Sequence, residues 1–316
     1  MDIFLSDQNN LRIFVKYLAL LLDIMLASSS DDKTIKIWDT VSGNSLKTLN
    51  DSNGTVNSLV VLPDYRLASG SSDKTIKIWD TLSGQLLKTL SNHTDWVNSL
   101  ALLPDETLAS SSQDKTIKIW NTVSGHLLKT LRNHNGSVNS LAALSDNRLA
   151  SGSFDKTIKI WNTLDGKEIK MLSGHTGSVN CLALLPDNTL ASGSNDETII
   201  IWDTLKGEKI KTLSNHTGSV NCLAVLSDYK LASGSSDKTI KIWDTISGQL
   251  LETLSNHTGS VETLAALPDN RLASGSFDKT IKTWNTTNGK LLNTLRDHTS
   301  LVKSLATSFK AALFLI

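Results

Sequence analysis

The chain has 316 residues, of which 39% are hydrophobic and 20% are charged, and its 31 basic residues balance 31 acidic ones. This balance is typical of a soluble globular protein and gives no general electrostatic reason to expect nucleic acid or a membrane as partner. The two cysteines, Cys181 and Cys222, are too few and too far apart for a disulfide framework or a zinc site. We interpret them as small buried residues of an intracellular protein, cytoplasmic with the nucleus as alternative.

The most apolar stretch comes first in the chain, at residues 11–27 (LRIFVKYLALLLDIMLA). Arg12, Lys16 and Asp23 interrupt it, so the remaining apolar run is too short for a transmembrane helix. The acidic residue Asp2 near the start also argues against a signal peptide, which has basic residues there. Its register with later segments of the chain favours a β-strand instead.

A unit of 41 residues then recurs along the chain and is marked by variants of DKTIKIWD. Its tryptophans are Trp38, Trp79, Trp120, Trp161, Trp202, Trp243 and Trp284. One unit predicts four short strands separated by turns, at residues 96–103, 107–112, 116–120 and 126–131. Four short strands cannot bury both faces of their sheet alone, so the units must stack on one another. The sequence therefore predicts an all-β protein, a seven-bladed β-propeller of four-stranded antiparallel blades.

These units resemble the WD-repeat (tryptophan–aspartate repeat) β-propeller family over roughly residues 11–307. The resemblance implies that the tryptophan, a serine, a histidine and an aspartate of each blade form a buried hydrogen-bonded set, which we name the latch. The matching serines are Ser28, Ser69, Ser110, Ser151, Ser192, Ser233 and Ser274. The matching aspartates are Asp32, Asp73, Asp114, Asp155, Asp196, Asp237 and Asp278. The matching histidines are His93, His134, His175, His216, His257 and His298. Ser52 occupies the histidine position of the second unit, so we predict that this blade is the loosest of the interior ones.

Serine, histidine and aspartate together also suggest a hydrolase. A nucleophilic triad is needed only once, beside an oxyanion hole and a pocket, whereas this set recurs in blade after blade. We therefore interpret it as structural, with each internal hydrogen bond contributing about 0.5–1.5 kcal/mol. The sequence predicts a protein that is not an enzyme and has no catalytic residues, no cofactor and no metal site.

Two segments compete for the inner strand of the first blade. The segment at residues 15–23 and the segment that begins at Val302 both align with the inner strand of the second unit. The first has Tyr17 where other units have a small residue, whereas the second has Ser304 there and carries His298. We therefore predict closure of the ring by the C-terminal segment. The predicted divisions are an N-terminal extension at 1–14, the propeller at 15–307 and an apolar tail at 308–316.

The histidine-bearing loops and the aspartate-bearing turns must meet to form the latch, so they share one face of the disc, which we name the top face. The residue before the latch aspartate varies between blades and includes Gln113, Phe154, Asn195 and Phe277. Trp96 enters the third blade and is predicted to lie beside Phe154 of the fourth. Exposed aromatics on loops of a rigid scaffold are typical interface anchors. The alternative is that these rings only cover neighbouring loops.

A lysine follows the latch aspartate in six units, and Glu197 replaces it in the fifth. These lysines are Lys33, Lys74, Lys115, Lys156, Lys238 and Lys279. Aspartates occupy the turns of the opposite, bottom face, at Asp23, Asp64, Asp105, Asp146, Asp187, Asp228 and Asp269. A basic top face favours acidic or phosphorylated partners, and we assign all of these lysines except the first to the partner surface. The alternative is that the charges serve solubility and turn formation.

We therefore predict a non-catalytic scaffold that binds other proteins or peptides on its top face and channel rim, without nucleic-acid or membrane partners. The alternative is a recognition or sensor module of a larger assembly, either a ubiquitin ligase or a regulatory ATPase. A ligase subunit would need a helical adaptor-binding domain and clustered top-face arginines, and this sequence has neither. An ATPase would need a GxxxxGK[ST] stretch, which the sequence also lacks.

Overall fold

The computed structural model describes residues 25–50 and 53–307, which form seven four-stranded antiparallel sheets. The predicted all-β, seven-bladed propeller is confirmed. The first blade consists of β1 (Met25–Ser30), β2 (Thr34–Asp39), β3 (Ser45–Asn50) and, as its inner strand, β28 (Val302–Thr307). Each later blade uses four consecutive strands in order from the inner to the outer one.

The strands of the second, third and fourth blades are β4 (Val56–Leu62), β5 (Arg66–Ser71), β6 (Thr75–Asp80), β7 (Leu86–Ser91), β8 (Val97–Leu102), β9 (Leu108–Ser112), β10 (Thr116–Trp120), β11 (Leu127–Arg132), β12 (Val138–Ala143), β13 (Arg148–Ser153), β14 (Thr157–Asn162) and β15 (Glu168–Ser173). Those of the fifth, sixth and seventh are β16 (Val179–Leu184), β17 (Leu190–Ser194), β18 (Thr198–Asp203), β19 (Glu208–Ser214), β20 (Val220–Val225), β21 (Lys230–Ser235), β22 (Thr239–Asp244), β23 (Leu250–Ser255), β24 (Val261–Leu267), β25 (Arg271–Ser276), β26 (Ile281–Asn285) and β27 (Leu291–Leu295).

The hydrophobic core lies between blades rather than inside any one of them. Seven buried clusters are present, one at each interface between adjacent blades. Ile158 and Ile160 of β14, for example, share a cluster with Val179 and Trp202 of the fifth blade. Since a sheet of four short strands has two apolar faces, stacking against both neighbours buries both of them. This packing holds the loops of each face in fixed relative positions.

Glycine in the second strand sets the close approach of adjacent blades. A Cβ atom on Gly152 of β13 would lie 2.6 Å from the Cγ1 atom of Val179, on the inner strand of the next blade. That distance is too short for non-bonded carbon atoms. A side chain at Gly152 therefore requires the Val179 side chain to move, whereas the first and third blades carry Ser29 and Ser111 at the equivalent position.

The C-terminal segment closes the ring, as predicted. β28 pairs antiparallel with β1, with Ser304 opposite Ser29 and Thr307 opposite Leu26. His298, just before β28, accordingly joins the latch of the first blade. The competing segment at residues 15–23 lies outside the described residues. So do Ser52, the predicted extension at 1–14 and the predicted tail at 308–316.

Candidate interaction surface

The latch of the fourth blade shows how the top face is fixed. Trp161 Nε1 donates to Ser151 Oγ at 2.8 Å, and Ser151 Oγ lies 2.8 Å from His134 Nε2. His134 Nδ1 lies 2.8 Å from an Asp155 carboxylate oxygen, and Thr157 Oγ1 donates to the other oxygen at 2.6 Å. The loop before β12 is thereby joined to the turn between β13 and β14. The latch therefore holds two top-face segments together across the blade.

The same arrangement recurs in six blades. The histidine Nδ1 and aspartate Oδ2 atoms are 2.6–2.8 Å apart in all six. The complete sets are Ser28, Asp32, Trp38 and His298; His93, Ser110, Asp114 and Trp120; His134, Ser151, Asp155 and Trp161; His175, Ser192, Asp196 and Trp202; His216, Ser233, Asp237 and Trp243; and His257, Ser274, Asp278 and Trp284.

The protonation state of the latch follows from its burial. Burial opposes the ionisation of Asp155, but hydrogen bonds from Thr157 and His134 outweigh it and hold the pKa of Asp155 at about 2. Burial lowers the pKa of His134, although the Asp155 carboxylate works in the opposite direction. A neutral imidazole that donates from Nδ1 to the carboxylate leaves Nε2 to accept from the Ser151 hydroxyl.

The latch serines are closed to a substrate. Ser151 and its equivalents in all seven blades have no exposed surface. Nucleophilic attack requires the hydroxyl to reach a reacting carbon atom, which this burial prevents. The geometry therefore supports the structural interpretation of the repeated set.

In the second blade, a lysine takes the place of the histidine as hydrogen-bond partner of the latch aspartate. Trp79 Nε1 donates to Ser69 Oγ at 2.9 Å, as in the other blades. The Asp73 carboxylate, however, accepts a hydrogen bond from Lys77 Nζ at 2.6 Å. The equivalent Lys118 of the third blade instead donates to Thr130 Oγ1, towards its outer strand. A buried ammonium group thus serves as the partner of Asp73 where this unit has no latch histidine.

The top-face lysines occupy an unusual backbone conformation. Residues 154–156 form the turn between β13 and β14, closed by a hydrogen bond of 3.1 Å from Lys156 N to Ser153 O. The lysine after the latch aspartate has a φ of 66–74° in all six units, and Glu197 has 70°. A type I turn followed by a left-handed residue is a standard three-residue hairpin loop in which glycine is favoured. Sequence reasoning attributed only a charge to these lysines.

The same lysines are exposed, but each directly follows an ionised aspartate. The exposed lysines of the predicted partner surface are Lys74, Lys115, Lys156, Lys238 and Lys279. Because hydrogen bonds lower the pKa of Asp73, Asp155 and their equivalents, a negative charge lies beside each of these positive charges. These carboxylates therefore offset part of the positive charge that the lysine count alone predicts for the top face.

The predicted aromatic anchors are exposed. Trp96, Phe154 and Phe277 have 49%, 65% and 59% of their surface accessible. Trp96 O accepts from Gln113 N at 2.9 Å, and Phe154 N donates to Ser137 O at 2.8 Å. Asn195 and Gln113, also assigned to the partner surface, are exposed as well.

A link between neighbouring blades joins the first two of these aromatics indirectly. Asn98, two residues after Trp96, donates to Ser137 Oγ at 2.9 Å, and Ser137 accepts the backbone hydrogen bond of Phe154. The two rings therefore belong to adjacent blades whose loops are hydrogen-bonded to each other.

Sequence reasoning missed a ring of β-bulges around the channel. The inner strand of every blade has one unpaired residue near the top face, where the pairing register shifts. These residues are Asn57, Asn98, Asn139, Asn180, Asn221, Glu262 and Lys303. Each of the five asparagines donates from Nδ2 to a valine carbonyl of the next blade at 3.0–3.1 Å. The recurring Val-Asn pair was the visible signal, but a bulge re-aims a side chain in a way that alternation does not predict.

The bottom face has its own exposed apolar residues, which the sequence reasoning also missed. They lie in the turns between third and fourth strands, at Val41, Leu82, Val123, Leu164, Leu205 and Ile246, each at least 60% exposed. A shallow cleft of about 230 Å³ lies between the bottom turns of the sixth and seventh blades, beside Pro268 and Arg271. It lies on the face opposite the latch.

Neither cysteine forms a disulfide, and burial raises the pKa of the Cys181 thiol to about 12. Within residues 25–50 and 53–307, no three histidine, cysteine, aspartate or glutamate side chains are arranged to hold a metal ion. The same residues contain no helix that is long and apolar enough to cross a bilayer.

The repeat identifies the family. The family model described as "WD domain, G-beta repeat" matches residues 19–39, 43–80, 84–121, 125–162, 166–203, 207–244 and 248–285. None of the curated proteins compared with the chain matches its sequence significantly. The match at 43–80, for example, runs from the outer strand of the first blade through the third strand of the second, so the repeat is offset from the blade by one strand. Since the seven matches cover most of the sequence, the chain belongs to the WD-repeat family of β-propellers.

Proposed function

We propose that this propeller is a non-catalytic scaffold that binds a protein or peptide across its top face and channel rim. WD-repeat propellers are generally protein-interaction scaffolds. The burial of the latch serines supports a role without catalysis. The observation that carries the proposal is that large exposed aromatic side chains stand at top-face positions where most other blades carry small or polar residues. Large exposed rings on rigid loops are typical anchors of protein interfaces.

The third and fourth blades provide the strongest anchor pair. Trp96 stands where four other blades have a serine, and Phe154 stands where the second and sixth blades have one. The fold therefore does not require an aromatic ring at either position. With 49% and 65% of their surfaces accessible, both rings have area to bury against a partner.

Affinity capture with the purified chain as bait tests this proposal. The test variant is Trp96→Ser with Phe154→Ser, which introduces the residues of other blades. The control is Leu164→Thr on the bottom face, since the seventh blade has Thr287 there. We expect the double variant to lose its specific partners and the control to retain them. Loss of the same partners in the control alone would place the interface on the bottom face and contradict the proposal.

We further propose that acidic or phosphorylated segments of the partner contact the exposed lysines. The neighbouring latch carboxylates weaken this contribution, so it is secondary to the aromatic anchors. Replacing Lys115 and Lys156 by glutamate, the residue of the fifth blade at this position, tests it. We expect weaker binding and a smaller salt dependence, because exposed ion pairs are screened by salt. Binding that is independent of salt in the unsubstituted chain would contradict it.

The same top face could serve as the recognition surface of a ubiquitin ligase or as the sensor of a regulatory ATPase. Either role would require a top face that binds a partner, and the two assemblies would differ in the other subunits they contain. Mass spectrometry of the captured proteins distinguishes them, since only the first would bring a ligase adaptor and only the second an ATPase.

A further inference from the structure

The ring of bulged residues changes its chemistry at the seventh and first blades. Five successive blades carry asparagine, whereas the seventh carries Glu262 and the first carries Lys303. An asparagine joins its blade to the next through its amide N–H group, and a glutamate carboxylate has no N–H to donate. Glu262 therefore does not have the structural role of its equivalents.

The amides of Asn98 and Asn221 use their N–H groups within the protein and leave their oxygens as acceptors. Asn98 Nδ2 donates to Ser137 Oγ at 2.9 Å and to Val138 O at 3.1 Å. Asn221 Nδ2 contacts Ser260 Oγ at 2.9 Å and Val261 O at 3.1 Å. The amide hydrogens of Asn98 and Asn221 are thus engaged by neighbouring loops, and the amide oxygen is what remains for a ligand. A ligand rich in N–H donors complements such a ring.

Glu262 shares a corner of the channel rim with Phe277. The bulged residue lies next to the residue before the latch aspartate of its own blade: Asn180 Nδ2 donates to Asn195 Oδ1 at 2.7 Å, and Asn221 Nδ2 donates to Ser236 Oγ at 3.1 Å. Glu262 and Phe277 are the corresponding pair in the seventh blade. Phe277 N also donates to Ser260 O at 2.8 Å, two residues before Glu262.

The carboxylate of Glu262 has no cationic partner among the residues that the structure describes. Its hydrogen-bond contact is a long one, 3.5 Å from Asn221 Nδ2 to Oε1. Lys303 on the adjacent blade forms no ion pair with it within 4.0 Å. Glu262 is half-buried, and Phe277, at the position equivalent to Asn195 and Ser236, is 59% exposed.

We propose that the corner formed by Glu262, Phe277 and Asn221 binds an arginine side chain of the partner protein. A guanidinium group stacks on an aromatic face while its N–H fork donates to a carboxylate and to amide oxygens. Lysine would make only a point contact with the same carboxylate. The proposal rests on the proposed function, since it names the chemistry of one contact on the top face.

Ligand-observed NMR with two small probes tests the corner directly. N-acetyl-arginine amide carries the guanidinium group, and N-acetyl-citrulline amide is its neutral isostere. We expect the arginine probe to bind the full chain at least fivefold more tightly than the citrulline probe. Equal affinity for the two probes would overturn the proposal, as would tighter binding of N-acetyl-lysine amide.

The repeats supply variants that other blades already tolerate. Glu262→Asn restores the residue of five blades, and Phe277→Ser introduces the residue of the second and sixth blades. We expect each to weaken the arginine probe at least fivefold, whereas Phe154→Ser in the fourth blade leaves it unchanged. Arginine binding unaffected by Glu262→Asn, with the thermal midpoint preserved, would overturn the proposal.

A gain of binding provides the converse test. Asn139→Glu creates in the fourth blade the Glu–Phe pair that the seventh blade has, beside Phe154. We expect a second arginine site there, and its absence would contradict the inferred role of the pair. Partner capture that depends on Trp96 and Phe154 while the arginine probe fails would leave the proposed function standing and remove this inference. Arginine binding without any top-face protein partner would support the arginine site and contradict the proposed function.

Discussion

The second and fourth blades share most of their sequence but hold their latch aspartates differently. In the fourth blade the partner of Asp155 is His134, a buried imidazole whose pKa is lowered by burial. In the second blade the partner of Asp73 is the Lys77 ammonium group at 2.6 Å. The tryptophan–serine hydrogen bond is the same in both.

The contacts that the two blades share are those between the latch aspartate and its own turn. Both aspartates accept hydrogen bonds from the backbone N–H and the hydroxyl of the threonine two residues later. One carboxylate oxygen thus stabilises the turn in both blades. The other oxygen accepts from His134 in the fourth blade and from Lys77 in the second. A charged lysine pair resists acid differently from a neutral histidine pair, so the two blades make different predictions.

Acid is expected to have the largest effect, because it acts on several complete blades at once. Burial lowers the pKa of His134, His175 and His216 even though each has an aspartate partner. Below about pH 6.5 the unfolded chain therefore binds more protons than the folded one, so stability is full above this pH and falls as the pH decreases towards the folded pKa. The second blade has no latch histidine and adds nothing in this window.

A second loss follows at lower pH, where the blades behave alike. The pKa values of Asp73 and Asp155 are both lowered, so their contribution is full above about pH 3.9 and is lost as the pH falls through the folded pKa. Urea unfolding between pH 8 and pH 5 checks the first window, and His134→Gln is expected to reduce the slope there. A free energy of unfolding that stays constant from pH 7 to pH 5 would contradict the neutral latch.

Replacing the latch aspartate by alanine tests the difference between the second and fourth blades. Asp155→Ala is expected to destabilise the protein by about 3 kcal/mol, because it leaves the buried His134 and the turn donors without their acceptor. Asp73→Ala is expected to cost about 1 kcal/mol less, since Lys77 can turn to Thr89 as Lys118 turns to Thr130. Urea unfolding of both variants at pH 7.5 measures the difference. An equal or larger loss for Asp73→Ala would contradict the expectation that Lys77 recovers the lost hydrogen bond at Thr89.

Removing the lysine tests the exchange of partners with the smallest effect. Lys77→Met is expected to cost about 1–2 kcal/mol, because Asp73 loses a charge-assisted hydrogen bond. Lys118→Met in the third blade is expected to be neutral or slightly stabilising. Burial lowers the pKa of Lys118, so its charge is held there at a cost. Thermal unfolding of the two variants measures this, and equal losses would mean that Lys77 has no special role.

The architecture could be predicted because the sequence repeats the same unit in every blade. Seven tryptophans at a spacing of 41 residues predicted seven blades. The strand predicted at residues 116–120 has the same bounds as β10. The prediction that the C-terminal segment closes the ring was also correct. It depended on His298, which supplies the latch histidine, and on Ser304, which is smaller than Tyr17 of the competing segment. These are contacts that every blade repeats, so one unit informs the others.

The unpredicted features depend on geometry that a single unit does not reveal. The change of partner at Asp73 requires knowing that Lys77 can reach the carboxylate. Asn98 and its equivalents could be aligned from the sequence, but their bulged backbone directs the amide to the next blade. The left-handed lysines resembled surface charges, since glycine is the residue that signals this conformation. The predicted looseness of the second blade stays a prediction.

The pairing of β28 with β1 has a consequence for how the protein is made. Ser28 and His298 lie 270 residues apart in sequence, so this contact closes a loop of nearly the whole chain. Until a ribosome has released residues 302–307, the first blade lacks its inner strand and β1 has an open edge. Ring closure is therefore a late, high-contact-order step of biosynthesis, and the waiting edge is the site where a nascent chain is most exposed to pairing with the wrong strand.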